Sequence, residues 1–333
     1  HQYMMFFTQK GKCFWMRVYE IPEGSKTAKG RAIQNLVNIE SDDKVKAFIC
    51  TQDLKDKDYI NSHNLIMVTK KGQVKKTSLE KYSKPRVNGV AAITIKEGDE
   101  LLEAKLTNGE SQIILAVKSG KLVRFEETKT RPMGRTESGV RGITLKDDTD
   151  EVIGMVTVDK DDINDSQILV VTENGYGKRT KLVDEDGEDV YRITNRGGKG
   201  VKTLNITEKT GKLISINAVT DADDLMIINK SGVTIRMAIE DLRVMGRATQ
   251  GVKLINLKGK DSIAAVTKVM KDDVAEVVVD EDGNVIETEA IERIKPVLEI
   301  LEDEGVEEDE EEDDVEEDED DEASEGDDED DEV

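Results

Sequence analysis

Short apolar segments interrupted by polar residues and a glycine recur five times along the chain. Each copy begins with a largely apolar run, passes through a polar pair and a glycine, and ends in a second run near a basic residue. Apolar and β-branched residues flanking a short turn with glycine at a positive-φ position are typical of a β-hairpin. The copies read MMFFTQKGKCFWMR, LIMVTKKGQVKK, IILAVKSGKLVRF, ILVVTENGYGKRT and LMIINKSGVTIRM, with turn glycines Gly11, Gly72, Gly120, Gly175 and Gly232.

A second glycine-containing segment follows each hairpin. An apolar strand, an acidic turn and another apolar strand come after it, so one repeat of roughly 50–60 residues offers about four strands. That strand content is typical of one propeller blade. The segments read AKGRAI, VNGVAAI, ESGVRGI, GGKGVKTL and TQGVKLI, with glycines Gly30, Gly89, Gly139, Gly200 and Gly251.

Helical patterns are weak over the same region, so the sequence predicts an all-β fold of radial repeats. Only VIETEAIERIKPVLEIL, at 285–301, favours a short helix, and Pro296 limits its length. We therefore expect a β domain at 1–270, a linker with a strand pair and a short helix at 271–301, and a tail at 302–333.

The net charge of −25 is unevenly distributed. Residues 302–333 contain 25 acidic side chains and no Lys or Arg, and taking these from the total of 73 leaves 48 acidic residues against 48 basic ones. The body is therefore neutral overall, and the acidic tail is expected to be disordered because it repels itself and has little apolar surface to bury.

Cysteine usage and hydropathy bear on the cellular compartment in which the protein is expected. Cys13 and Cys50 have no metal or redox spacing, which suits a reducing compartment. No apolar run approaches the roughly 18 residues of a membrane span, and no signal peptide is visible.

Over roughly residues 1–270 the chain resembles the C-terminal domain of the bacterial DNA gyrase A subunit. The stretches that carry the resemblance lie in order and in register with the repeat: RVYEIPEGSKTAKGRAIQNLV, RPMGRTESGVRGI, ENGYGKRT and VMGRATQGVKLI. The resemblance implies a six-bladed β-pinwheel, a propeller-like disc whose strands swap between neighbouring blades and whose basic rim wraps DNA.

The family pattern differs from this chain at its beginning. Only five hairpin copies are visible, so we expect the first blade to be incomplete, with the family's first hairpin and its QRRGGKG box upstream of His1. TNRGGKG, at 194–200, looks like that box but lies in a later repeat, where Gly200 aligns with the second-segment glycines. It is either a second box-like element or the local version of the repeat.

DNA wrapping needs phosphate contacts spread along a curved path, with little reading of bases. A repeat supplies them if each blade offers basic residues at the same edge, and glycines beside them let backbone N–H groups approach a phosphate. Most turn glycines are needed for positive φ in any case, and a single strand-end base is often merely solvated. The predicted DNA-binding residues are Arg17, Lys75, Lys76, Arg124, Lys178, Arg179 and Arg236 at hairpin ends, and Lys26, Lys29, Arg31, Lys84, Arg86, Arg131, Arg135, Arg141, Arg196, Gly197, Gly198, Lys199, Gly200, Lys202, Arg247 and Lys253 around the second glycines.

The residues do not predict chemistry of their own. GGKGVKT lacks the Ser or Thr that follows the lysine of a P-loop, and no catalytic or metal-binding constellation is present. In the family the strand-cleaving tyrosine and the ATP site lie elsewhere, so this chain alone is expected to be inactive and without a cofactor. ATP and magnesium are implied only for the holoenzyme. The implied partners are double-stranded DNA, the gyrase B subunit and a second A subunit in a heterotetramer, in the cytoplasm at the nucleoid and without a membrane.

Two other interpretations stay open. The equivalent domain of the topoisomerase IV A subunit has fewer or degenerate blades and lacks the box, and a propeller could also be a protein-binding scaffold. A DNA-binding rim predicts a strong salt dependence, which a scaffold does not. A tethered polyanion next to a basic rim also suggests that the tail competes with DNA.

Overall fold

The computed structural model describes the repeat region almost continuously. The chain divides into two compact units, His1–Ile300 and Leu301–Val333, and every described residue belongs to the first. The acidic segment 302–333 and the predicted site residue Lys26 lie outside the described residues. Those residues are 2–25, 28–257, 259, 261–271, 277–279 and 285–287.

All five predicted hairpins are present, which confirms the repeat. Their turn glycines have φ between 80° at Gly11 and 89° at Gly232, a region that side chains disfavour. The hairpins are β1 (Tyr3–Thr8) and β2 (Lys12–Arg17), β4 (Asn64–Thr69) and β5 (Gln73–Ser78), β8 (Gln112–Val117) and β9 (Lys121–Glu126), β12 (Gln167–Thr172) and β13 (Tyr176–Lys181), and β16 (Asp223–Asn229) and β17 (Thr234–Ala238).

A third strand joins each hairpin on its first strand, always antiparallel. These third strands contact one another in chain order, so they line the centre of a propeller-like disc. They come from the apolar run after each acidic turn. They are β3 (Val45–Thr51), β7 (Leu101–Thr107), β11 (Val152–Val158), β15 (Leu213–Val219) and β19 (Ile263–Met270).

The fourth strand of each sheet is donated by the following repeat. It comprises the two residues after a second-segment glycine and pairs with the outer strand of the preceding hairpin. The donated strands are β6 (Val90–Ala91), β10 (Val140–Arg141), β14 (Val201–Lys202) and β18 (Val252–Lys253). The resulting sheet orders are β3-β1-β2-β6, β7-β4-β5-β10, β11-β8-β9-β14 and β15-β12-β13-β18, which we call blades 1 to 4.

Blade 5 contains three strands, in the order β17-β16-β19. The described residues therefore form five blades, as the five hairpin copies predict, whereas the family resemblance implied six. Strand exchange between neighbours is present as the resemblance implied.

Close approach of two strands explains the second-segment glycines. A Cβ added to Gly200 would lie 2.5 Å from the Leu122 carbonyl oxygen, and one added to Gly139 would lie 2.6 Å from that of Val74. Real Cβ atoms do not come so near an oxygen, so a side chain would push the donated strand away from the hairpin.

The core lies between blades. In β8, Ile113 and Leu115 pack into a cluster with residues of β4, whereas Ile114 and Ala116 pack into a cluster with residues of β12. A strand buried on both faces has a continuous apolar run instead of alternation. Each fully buried Leu or Ile stabilises the fold by about 1.5–3 kcal/mol.

Two elements differ from the sequence expectation. A short helix, α1 (Lys57–Ser62), follows β3, and the Asp56 carboxylate caps it by accepting hydrogen bonds from the backbone N–H groups of Asp58 and Tyr59. Near the end of the first unit, β20 (Val277–Val279) pairs with β21 (Val285–Glu287), and a strand pair was expected at 271–301. Residues 285–287 belong to this pair, where the sequence favoured the start of a short helix. The rest of that helix, at 288–301, lies outside the described residues.

Candidate nucleic-acid interface

The basic residues of the repeat fall into two groups that the sequence did not separate. Five bases in the second hairpin strands of blades 2 to 4 are buried in the protein, whereas those around the second-segment glycines lie at the outer edge of the sheets. This division decides which side chains could reach a DNA backbone.

Five of the predicted DNA-binding side chains are at most 7% exposed, and their charged ends bind protein atoms. An interior ammonium or guanidinium must be paired with acceptors, and it has no path to an external phosphate. This corrects the prediction for these residues. They are Lys75, Lys76, Arg124, Lys178 and Arg179.

The buried Arg124 forms hydrogen bonds that link two repeats. Its Nε donates to Gln112 Oε1 at 2.7 Å, and its Nη1 donates to Asp189 Oδ1 at 2.8 Å and to the Tyr191 carbonyl at 2.9 Å. Burial lowers the pKa of Arg124 from its ordinary value. The side chain thus joins β9 of blade 3 to the segment that follows the blade 4 hairpin.

The same hairpin position carries related contacts in other blades. Lys76 Nζ donates to the Glu127 carbonyl at 3.2 Å, and Arg179 binds the Leu242 carbonyl and the Asp221 carboxylate. In blade 5, Arg236 is half-buried and its Nε donates to Asp224 Oδ2 at 2.7 Å. A base at this position therefore serves packing within and between repeats.

Lysines one position earlier hold outer loops. Lys75 Nζ donates to the carbonyls of Ala92 and Arg135, each at 2.6 Å. Lys178 Nζ donates to the carbonyls of Gly246 and Arg247, the latter at 2.6 Å. Burial lowers the pKa of Lys75 to about 8.

The second group of bases lies at the outer edge. On the donated strands, Arg141 faces Gln73, Lys202 faces Lys121 and Lys253 faces Tyr176. The predicted residues that are exposed are Arg17, Lys29, Arg31, Lys84, Arg86, Arg131, Arg141, Lys199, Lys202 and Arg247, and Arg135, Arg196 and Lys253 are half-buried.

Arg17 differs from the others because two tyrosines hold its guanidinium. Its Nε donates to the Tyr3 hydroxyl at 3.2 Å and its Nη1 donates to the Tyr19 hydroxyl at 2.6 Å. The Arg17 side chain remains exposed, and Tyr19 is 70% exposed.

The glycine-rich segment at 194–200 is fastened to the preceding outer segment. The Gly197 N–H donates to the Gly142 carbonyl at 2.8 Å, and the Thr144 N–H donates to the Gly198 carbonyl at 3.0 Å. Arg196 Nε donates to the Lys129 carbonyl at 3.1 Å. Gly197 has φ +88° and Gly200 must approach β9 closely, so both have structural roles. Lys199 is left exposed on this loop.

Hydrogen bonds of one type link successive outer segments. The backbone N–H of Thr94 donates to the Glu137 carbonyl, that of Thr144 to Gly198, and that of Asn205 to Thr249. In each pair the donor is five residues after one second-segment glycine, and the acceptor is two residues before the next. The segments around Gly89, Gly139, Gly200 and Gly251 therefore form a continuous ridge with the bases they carry, which we call the outer edge.

The sequence missed Lys121 and Arg243 as members of this edge. Lys121 is the first residue of β9 and lies opposite Lys202, so strand register would have revealed it. Arg243 is exposed between the blade 5 hairpin and the next second-segment glycine, where the other loops carry their bases.

In the part of the chain that the structure describes, no group of three or more His, Cys, Asp or Glu residues could hold a metal ion. None of the described helices is long and apolar enough to cross a membrane.

Comparison with known proteins matches the blade architecture. A family model described as the DNA gyrase C-terminal domain, beta-propeller, matches residues 2–52, 63–108, 112–159, 166–220 and 223–270. These five matches correspond to the five repeats.

Sequence relatives are DNA gyrase A subunits. That of Staphylococcus aureus strain MRSA252 is 40% identical over 296 residues, which cover 87% of this chain and 32% of the relative. That of strain NCTC 8325 is 41% identical over 272 residues, covering 82% and 29%. The chain thus spans about a third of the length of these relatives.

Solved structures share the fold. The C-terminal domain of DNA topoisomerase IV superposes with a TM-score of 0.70 at 23% identity, covering 81% of this chain and 79% of that one. The DNA gyrase A C-terminal domain superposes with a TM-score of 0.66 at 22% identity, covering 81% and 83%.

Proposed function

Because the chain belongs to the DNA gyrase C-terminal β-propeller family, we propose that it binds double-stranded DNA along the outer edge and wraps it around the disc. The observation that carries the proposal is the repetition of a base on the donated strands, exposed in Arg141 and Lys202 and half-buried in Lys253. Arg141, Lys202 and Lys253 occupy the same position after the glycine in blades 2, 3 and 4. Equivalent positions on successive blades offer phosphate contacts along a curved path.

The character of the edge favours backbone contacts over the reading of bases. The strands there are two residues long and present isolated Arg and Lys side chains. Such contacts fix the position of DNA without specifying its sequence. We therefore expect binding that depends strongly on salt and weakly on sequence.

The proposal also covers the role of this chain within a whole gyrase enzyme. As part of a gyrase A subunit, the disc would bend DNA so that the holoenzyme introduces negative supercoils, using ATP and magnesium held by other parts of the assembly. The partners in that assembly are the gyrase B subunit and a second A subunit, and the location is the cytoplasm. The described residues supply the DNA-wrapping part of that cycle.

A nicked-plasmid assay tests wrapping directly. The chain is bound to nicked circular DNA, the nick is ligated, and the linking number is read on a gel. We expect a protein-dependent shift that is lost when Arg141, Lys202 and Lys253 are all changed to Gln. As a control of equal charge, Lys55, Lys57 and Lys160, which are exposed and lie between the third strands and the next hairpins, are changed to Gln.

Each outcome of this assay favours a different interpretation. A shift that survives in the control variant but not in the outer-edge variant supports wrapping along this edge. Salt-sensitive binding without a linking-number shift would show that the five blades bind DNA without wrapping it. No binding at low salt, even with residues 302–333 removed, would favour the protein-binding scaffold.

The topoisomerase IV A subunit is the second candidate. A structure of that kind superposes well, but at 23% identity this shows the fold alone. The relatives of higher identity are gyrase A subunits, and this favours gyrase.

A further inference from the structure

Two outer loops share a short motif that the others lack. Met133-Gly134-Arg135 and Met245-Gly246-Arg247 each place an arginine four residues before a second-segment glycine. The glycines then lead into β10 and β18, which pair with blades 2 and 4. The two arginines therefore lie beside the outer edge on alternate blades.

A buried lysine of the receiving blade holds each of these loops. Lys75 lies in β5, which receives β10, and its ammonium binds the backbone carbonyl of Arg135 itself. Lys178 lies in β13, which receives β18, and binds the carbonyl of Arg247 and the hydroxyl of Thr249, the latter at 3.1 Å. Both lysines are 0% exposed.

A buried lysine at this hairpin position occurs in the blades that receive a Met-Gly-Arg loop and is absent from blades 1 and 3. In blades 1 and 3 the third residue after the turn glycine is Phe14 or Val123 instead of lysine. The loops that enter these blades read KPRVNG and TNRGGKG, without the Met-Gly-Arg motif. In the second of these, the backbone N–H of Gly197 also donates to the Gly142 carbonyl and helps to fasten the loop.

An interior ammonium is stable only while its hydrogen bonds are made. Because the acceptors here are carbonyls of the loop, the lysine fixes the backbone from which the arginine extends. Among the described residues, the Arg135 and Arg247 side chains form no ion pair, so no carboxylate of this part of the chain neutralises their charge. Arg247 is exposed and Arg135 is half-buried. A buried lysine that fixes the loop backbone keeps each arginine at one place beside the outer edge.

We infer that Lys75 and Lys178 are positioning residues for DNA binding, each holding from inside its blade the loop that presents Arg135 or Arg247 to the phosphate backbone. The inference rests on the proposed function, since it specifies how two of the edge bases are oriented. Neither lysine touches DNA. Their contribution to affinity passes through the arginine.

A double-mutant cycle with the 333-residue chain tests this. Binding of a linear DNA duplex is measured across salt concentrations for wild type, Lys178→Met, Arg247→Gln and the double variant. Release of one counterion contributes a salt slope of about 0.9, so each single variant is expected to bind up to about eightfold more weakly at 0.1 M salt. The double variant is expected to bind no more weakly than Arg247→Gln, because the lysine then has nothing to position.

A remote base provides the matched control. Arg86 lies on the loop that enters blade 1, so Lys178→Met and Arg86→Gln are expected to weaken binding additively. If Lys178→Met weakens binding equally with Arg or Gln at position 247, the lysine acts on general stability and the inference is wrong. Where Lys178→Met does not fold, Thr249→Val removes one acceptor and is tested in the same cycle.

The test also separates this inference from the proposed function. A wild-type chain without salt-dependent binding would overturn both. A wild-type chain that binds, together with a folded Lys178→Met variant of unchanged affinity and slope, would overturn only the positioning role.

Discussion

Gly200 and Gly198 lie in one loop but differ in whether a side chain could replace their hydrogen. Gly200 has φ +76° and no room for a Cβ beside the Leu122 carbonyl, whereas a Cβ on Gly198 would make only ordinary van der Waals contacts, the nearest at 3.9 Å. We expect Gly200→Ala to lower the free energy of unfolding by about 2–4 kcal/mol through backbone strain and the clash. Gly198→Ala is expected to change it by less than about 0.5 kcal/mol. Urea denaturation of both variants checks this, and equal losses would contradict the structural role of Gly200.

The Lys75 ammonium links DNA binding to pH. Burial lowers its pKa in the fold to about 8, while Glu137 raises the pKa and Lys81 and Arg135 lower it further. Above that pH the neutral amine binds the Arg135 carbonyl less strongly. We expect DNA affinity to fall between about pH 7 and 9 with a midpoint near pH 8, and the step to be absent in Lys75→Met. If Lys75→Met shows the same fall in DNA affinity near pH 8, a different titrating group causes it.

Stability should change in the opposite direction. A lowered pKa means that the unfolded chain holds a proton between pH 8 and 10.5 that the folded chain has released. The destabilising effect of this lysine is therefore complete below pH 8 and is relieved as the pH rises. Urea denaturation of wild type and Lys75→Met at several pH values measures this contribution separately from DNA affinity.

Residue types predicted part of the candidate site. The bases beside the second-segment glycines are exposed or half-buried, because Gly-rich loops leave the sheet edge. Five bases of the second hairpin strands are buried, although Lys and Arg in a strand suggest a solvated face. Arg124 lies instead between repeats, where carbonyls from residues 58 and 67 positions away accept its hydrogen bonds. Such distant partners are not visible in a local pattern.

At the scale of elements, Arg124 connects blade 3 to the next repeat. Arg124→Met leaves the Gln112 side chain and the Tyr191 carbonyl without their donor inside the protein. We expect a loss of about 2–4 kcal/mol in the free energy of unfolding. Faster amide hydrogen exchange should be concentrated in residues 182–191, the segment that Arg124 holds.

Arg236→Met is the comparison for that experiment. Arg236 is only half-buried and binds Asp224 of its own sheet. Its replacement should therefore leave exchange in residues 182–191 unchanged, although it removes a donor from the buried Asp224 carboxylate and should itself lower the free energy of unfolding. A uniform increase in exchange across all blades after Arg124→Met would contradict the local role of Arg124.

Strands and helices could be predicted where a short stretch of sequence specifies them. A hairpin is specified by two apolar runs and one glycine, and all five were found. The donated strands are two residues long, so only the family resemblance implied the exchange that β6, β10, β14 and β18 perform. The helix α1 has six residues, which is too short for helical periodicity to be detected.

At the scale of the repeat region, buried bases and proposed DNA-binding bases occupy different places. Buried bases tie neighbouring repeats together inside the disc, and the bases around the second-segment glycines lie at the outer edge. Because apolar clusters lie between blades, each blade needs its neighbours for stability, as in other repeat proteins. The position of the proposed DNA path would therefore depend on how the blades are packed and not on any single loop.

The acidic residues after position 301 should oppose that binding. The 25 acidic residues of 302–333 account for the whole net charge of −25, and the remainder balances 48 acidic against 48 basic residues. We expect deletion of 302–333 to strengthen binding of a linear duplex by about tenfold at low salt, and the difference to vanish at about 0.5 M salt, where charges are screened.

Replacement of 302–333 by an uncharged Gly/Ser segment of equal length separates charge from chain length. If the tail competes with DNA through its charge, the replacement and the deletion will bind with the same raised affinity. If affinity at low salt is the same with and without residues 302–333, the acidic residues do not reach the outer edge. The bases that line it would then act on DNA alone, and the net charge of the chain would have no bearing on wrapping.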